Sequence, residues 1–317
     1  MKTFKRICNS LIKTVTILII PCVHAGVTFD FNYQPGSGFL DEVFGESRRA
    51  QLNIAANRLS YYFTGYSAHL TFDVSEYNAP NLLAAANSDL VSESPGFYNT
   101  VVQQKILAGI DANGDVADGQ IFWNFNNPWS LGDTVGAEED DFVSTAMHEL
   151  THTLGFGQVG DLTSGNFGKW TAFLTNKNGI LLTELSENDR NAVIIGGNTV
   201  DEDLKPVAGT NGTYFSGPNA VAVYGGLVPI FSPSFFISGT SLGHLDDFTF
   251  TNGSLMNAVG SSGPSPQFYS MLEIAMLKDI GYTMVAIPEP ATTALMVAWA
   301  IAGFWVWCRR NGNRRRA

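Results

Sequence analysis

The chain has 317 residues, 45% of them hydrophobic and 15% charged, with a formal net charge of −11. That composition excludes a disordered tail protein, a collagen-like chain and a polytopic membrane protein, and leaves room for one large domain or two small ones. Residues 26–290 hold nine Lys and Arg against 29 Asp and Glu, a net of −20, so the body repels phosphate backbones and no nucleic-acid partner is expected.

Residues 1–25 carry four basic groups and no acid, then an apolar run from Ile17 to Cys22, then Val23-His24-Ala25 before Gly26. Small residues at the −3 and −1 places of a cut after Ala25 predict a secretory signal peptide removed by signal peptidase. Pro21 before Cys22 does not suit a lipoprotein cut. The only cysteines are Cys8, Cys22 and Cys308, all outside the body. The body therefore has no disulfide framework, no cysteine-ligated zinc and no cysteine nucleophile.

Within the body, Val27, Phe29, Phe31 and Tyr33 alternate with polar residues and predict a half-buried strand over 27–33. Leu52, Ala55, Ala56, Leu59, Tyr62 and Phe63 keep helical spacing, so 46–63 reads as an amphipathic helix. Leu70, Phe72 and Val74 alternate again, a weaker helix lies around 98–108, and Ile121, Trp123 and Phe125 mark a strand over 120–126. The Asp111-Ala-Asn-Gly-Asp115 stretch lacks the glycine and the final acid of a calcium loop and reads as a polar turn.

Residues 157–255 are rich in Gly, Ser, Asn and Thr, with apolar runs only at Ile180–Leu182, Ala192–Ile195 and Ala220–Tyr224. They predict an irregular lobe. A closing helix is expected with Ser265 as N-cap, Pro266 in its first turn and Gly281 as C-cap. The fold class is α+β, with a sheet-and-helix half first and a loop-rich half second.

The chemistry is concentrated at His148-Glu149-Leu150-Thr151-His152. Histidines four apart lie on one helical face and can reach a single metal ion. Glu149, about 100° around the helix from His148, can address a metal-bound water without being a ligand. The acidic run Glu138–Asp141 suits the helix N-terminus, and Gly155 ends the helix. A zinc ion needs a third protein ligand and a fourth position for water. Gln158 offers a carboxamide, a poor zinc donor. His69 sits with Thr71 and Asp73 on the polar side of its strand. His244, next to Gly243, is the remaining imidazole and is expected to complete the set. Its second ring nitrogen should be oriented by a backbone carbonyl or by Asp246.

His148, Glu149, His152, Gly155, Phe156, the distant His244 and Met256 together resemble the leishmanolysin-type branch of the metzincin proteases. The resemblance covers about residues 40–285. It implies a metzincin-like fold, one Zn²⁺ held by His148, His152 and His244, a methionine turn at Met256, and hydrolysis of peptide bonds with Glu149 as general base. Two positions depart from the pattern: Gln158 stands where many metzincins have the third histidine, and Ala258 where many have a tyrosine. A surface-displayed binding or matrix protein that keeps a zinc site without turnover, and a hydrolase of non-peptide amides, stay open as alternatives. The strand 120–126 is a candidate edge for an extended peptide substrate.

Residues 287–317 contain Pro288-Glu289-Pro290, eighteen uncharged residues from Ala291 to Cys308, and five terminal arginines. Eighteen helical residues span about 27 Å, just enough for a hydrocarbon core, and the arginines would stay cytoplasmic. The three parts in this order resemble the bacterial PEP-CTERM sorting signal. That resemblance implies an exosortase as processing partner, a transient membrane anchor, and a destination in the cell envelope, at the cell surface or outside. The expected organisation is a signal peptide (1–25), a zinc metalloprotease domain (26–286) and a sorting signal (287–317).

Overall fold

The computed structural model describes residues 26–283, except 64, 81, 158–161, 163–164, 198, 201–205, 208–210 and 252. The expected signal peptide and sorting signal lie outside these residues. No helix among the described residues is long and apolar enough to cross a membrane.

The architecture is α+β. A four-stranded sheet is built from β1 (Val27–Tyr33), β2 (Ala68–Glu76), β3 (Ala84–Asn87) and β5 (Gly119–Trp123), in the order β1-β2-β5-β3. β1, β2 and β5 run parallel, and β3 runs antiparallel to β5 at the end of the sheet. A short β4 (Gly96–Tyr98) pairs instead with residues Asn166–Gly168 of the later half. Helix α1 (Gly45–Ser60) and helix α3 (Phe142–Thr153) pack against each other, and α3 also packs against β3.

The core follows the period of each element. β2 buries Leu70, Phe72 and Val74, β5 buries Ile121 and Trp123, and α1 buries Leu52, Ala55, Ala56 and Leu59. Trp123 stacks on Phe142 at 4.1 Å between ring centroids, which ties the sheet to the start of α3. Each such large side chain contributes about 1.5–3 kcal/mol by leaving water.

Helix α2 (Val101–Ala108) is capped by Thr100 and ends at Gly109 in the left-handed conformation. Asp111 takes the backbone N–H groups of Asn113 and Gly114 and pairs with Lys105 at 2.9 Å, which makes 111–115 a polar turn. The later half is irregular. It holds α4 (Glu187–Ile194), α5 (Pro218–Tyr224) and a small sheet of residues Val228–Pro229, Tyr214–Phe215 and Leu174–Thr175. The last helix among the described residues is α6 (Met271–Asp279).

Two sequence expectations are corrected. The strand at 120–126 is not an edge: β5 lies between β2 and β3 and stops at Trp123. The ends of the sheet are β1 and β3, and the one packed against α3 is β3, whose Ala-Ala-Ala-Asn sequence carries no β-branched signal. The closing helix starts at Met271, not near Ser265, because Ser270 forms a capping box with Glu273. Ser265 and Pro266 are drawn to α3 instead. The Ser265 N–H donates to Asp141 at 3.2 Å, and the Pro266 carbonyl accepts from the Ser144 hydroxyl at 2.6 Å.

Candidate metal centre

Helix α3 presents the first two histidines. Asp141 caps its N-terminus by accepting from the Ser144 N–H at 2.9 Å, and both of its carboxylate oxygens also accept from the Gln267 amide. Phe142, Ala146, Met147 and Leu150 turn into the core. His148 and His152 therefore share another face. Gly155, at φ +83°, stops the helix, and the Gly155 N–H closes on the His152 carbonyl at 3.0 Å.

The chain returns to this helix 92 residues after His152. Leu245 forms an antiparallel bridge to Ile230 and a parallel bridge to Asn257. The Phe231 N–H donates to the His244 carbonyl and the Leu245 N–H to the Met256 carbonyl, each at 2.9 Å. His244 thus sits on a segment pinned from both sides.

The three imidazoles converge. The Nε2 atom of His148 lies 3.0 Å from that of His244 and 3.0 Å from that of His152, and the His152–His244 distance is 3.1 Å. Each opposite nitrogen donates to a backbone carbonyl. His148 Nδ1 donates to Leu255 at 2.7 Å, His152 Nδ1 to Phe156 at 2.9 Å, and His244 Nδ1 to Thr240 at 2.7 Å. A carbonyl only accepts, so the proton of each neutral ring is on Nδ1 and the three Nε2 lone pairs face one another. Burial holds all three rings neutral. It drives His148 down to about 3, with His152 adding repulsion, and it lowers His152; His244 falls well below its ordinary value, with both neighbours contributing.

Three facing lone pairs repel unless a cation lies between them. Tetrahedral coordination at 2.0–2.1 Å would separate the nitrogens by about 3.3 Å, within a few tenths of an ångström of the arrangement seen. The residues fit a metal ion with three imidazole ligands. The acceptor that orients His244 is the Thr240 carbonyl, not Asp246, which instead takes the Thr249 hydroxyl at 2.6 Å.

No known protein family matches the chain, and neither a curated protein nor a solved structure matches it. The site therefore speaks through its own geometry.

Glu149 is buried on the same helix as His148 and His152, on the side of β3. Burial pushes its carboxyl up to about 8, with the backbone of Ala86 on β3 acting in the opposite direction. Met256 is fully buried, and its N–H donates to Glu273 Oε1 at 2.7 Å, while Glu273 Oε2 accepts the Ser270 N–H at 2.6 Å. Glu273 on α6 thereby fixes the turn whose Leu255 carbonyl orients His148. Ala258, two residues after Met256, lacks a polar side chain, and its N–H donates to Asp247 at 2.9 Å.

Of the other candidates, His69 is on the solvent side of β2. Its side chain is 60% exposed and pairs with Asp30 at 3.3 Å. Gln158 lies outside the described residues. Three further residues shape the site. Glu273 carries a legible signal, since Ser270-x-x-Glu273 is a capping-box pattern. Gly157, at φ +111°, lies so close to the returning segment that a Cβ there would come within 3.1 Å of the Gly243 carbonyl and 3.2 Å of His152 Nδ1. Trp170 carried no periodic signal at all.

Proposed function

We propose that the chain is a zinc-dependent endopeptidase with a metzincin-like domain over 26–286. The observation that carries this reading is the convergence of His148, His152 and His244 beside Glu149, a buried carboxyl on the same helix. When bound at the three imidazoles, zinc would polarise the scissile carbonyl and acidify water. Glu149 takes a proton from the attacking water and passes it to the leaving amine. β3 ends the sheet next to α3, so an extended peptide can add to it by strand pairing. Met256 is fully buried and follows Leu255, whose carbonyl orients His148, as a methionine turn under the site would require.

From the sequence of the two ends, the protein is exported after signal-peptidase cleavage and passes through a membrane-anchored stage. An exosortase-type enzyme then acts on residues 287–317, and the domain works at the cell envelope or beyond. One observation favours a second reading, a surface-displayed protein that keeps the metal site without turnover: Ala258 supplies no side chain to stabilise an oxyanion.

The test is cleavage of casein and of a quenched peptide library by the purified mature protein, before and after chelation. The proposal expects cleavage that stops on chelation and returns with one equivalent of zinc. Zinc bound at one equivalent with no cleavage would favour the second reading.

A further inference from the structure

Trp170 lies in a short 3-10 turn (Lys169–Phe173) of the loop-rich half, fully buried, and it touches the supports of two different histidines. Its indole N–H donates to the Leu242 carbonyl at 2.9 Å. Its ring lies 4.4 Å from the ring of Phe156 and 4.5 Å from that of Phe215. Phe156 is the residue whose carbonyl orients His152. Leu242 stands midway between Thr240, whose carbonyl orients His244, and His244 itself.

Leu242 is also strained. At φ +67° it is the only non-glycine residue with positive φ among the described residues, and a γ-branched side chain gives it no local reason to be there. A backbone in that conformation persists only where its surroundings hold it. Two hydrogen bonds do so here: the Leu242 N–H donates to the Phe231 carbonyl at 2.9 Å, and the Leu242 carbonyl accepts from Trp170. Without the indole donor the carbonyl of this fully buried residue would lose that partner, and the 240–244 turn could relax toward ordinary backbone angles.

We infer that Trp170 is a positioning residue for the metal centre: its indole N–H on Leu242 and its ring against Phe156 hold His244 and His152 at the spacing a shared cation needs. The inference rests on the metal-site reading above and adds the element that makes the distant third ligand dependable. Groups that orient ligands from behind commonly change metal affinity by about 10–100-fold when lost.

The experiment is a chelator-competition titration of zinc affinity on the full mature chain, under conditions where each metal-free variant is folded by circular dichroism. Two changes are made at one position. Trp170→Phe removes the N–H and part of the ring. Site-specific incorporation of 3-benzothienylalanine at position 170 keeps the bicyclic shape and removes only the N–H, so packing survives even if the phenylalanine variant folds poorly. Trp123→Phe is the control, a fully buried tryptophan whose indole N–H has no partner and whose ring packs on Phe142. Both changes at 170 are expected to weaken zinc about 10–100-fold and to alter the visible spectrum of the cobalt-loaded protein, while Trp123→Phe leaves both unchanged. Zinc affinity within about twofold of wild type in the benzothienyl protein, or an equal loss in Trp123→Phe, overturns the inference. If wild type itself binds no more zinc than His244→Ala, the metal-site reading fails and takes the inference with it, a result distinct from either of the others.

Discussion

The two halves of the molecule hold their metal-facing groups by different means. In the first half, His148 and His152 are placed by helical geometry, since i and i+4 on α3 share a face and Asp141 caps the helix. In the second half, His244 has no regular element beneath it. It is held by backbone bridges at Leu245, by the Thr240 carbonyl, and by a strained Leu242 under Trp170. A regular element places ligands through its period, whereas an irregular lobe must fix them one hydrogen bond at a time. Substitutions should therefore be more costly, position for position, in the lobe that looks less structured.

The sharpest way to break this contrast is at His244. His244→Ala should abolish peptide cleavage and most zinc binding, as measured by metal content after gel filtration, even though it lies outside the HExxH motif. Retention of one tight zinc would show that the lobe is only a cover. Next comes Gly157→Ala, which forces a Cβ against the Gly243 carbonyl at a φ of +111°. It should cost about 2–4 kcal/mol and lower zinc affinity. Gly36→Ala, at φ +83° with nothing within 4 Å, should cost only about 1 kcal/mol. Chemical unfolding of the two variants compares them directly.

Glu273→Ala should cost about 2–3 kcal/mol, because the Met256 and Ser270 N–H groups lose their acceptor in a dry site. Zinc affinity should fall with it, through the Leu255 carbonyl on His148. The smallest effect is at His69. His69→Ala should change stability by less than about 0.5 kcal/mol and leave zinc binding untouched, since its ionic partner among the described residues is the exposed Asp30.

The pH dependence of the metal-free protein separates the buried groups by sign. The histidines have folded values below the ordinary 6.5, so their contribution is present above pH 6.5 and is lost as pH falls toward about 3, the value for His148. Glu149 is raised from 4.5 to about 8, so its contribution is present below pH 4.5 and is lost as pH rises through about 8. Glu149→Gln should remove the second loss. Relative to wild type, that variant should gain stability steadily between pH 4.5 and 8 in chelator-treated samples, by thermal unfolding.

How much of this was legible in the sequence follows the same division. β1 at Val27–Tyr33 and the burial of Leu70, Phe72, Val74, Leu52 and Leu59 follow from period-2 and period-3.6 patterns. The His148–His152 pair and the acidic run at the start of its helix were equally readable, though not that Asp141 is the residue that caps it. His244 was reached by elimination among few imidazoles, not from any local pattern. β3 was not legible, because three alanines and an asparagine give no strand signal and the sheet itself recruits them. The start of α6 was legible in the Ser270-x-x-Glu273 capping box, although Ser265 and Pro266 offered a competing start. Trp170 and Gly157 were not legible. Their roles depend on which distant backbone comes to lie against them, and no short window of sequence records that.

The most direct test of the central claim is hydrolysis of a quenched peptide by zinc-loaded Glu149→Gln beside wild type. The side chain keeps its shape and loses its basicity, so the variant should retain one zinc per chain while turnover falls by about 10²–10⁴. Turnover near that of wild type, with zinc still bound, would contradict Glu149 as the base and with it the mechanism assigned to this centre.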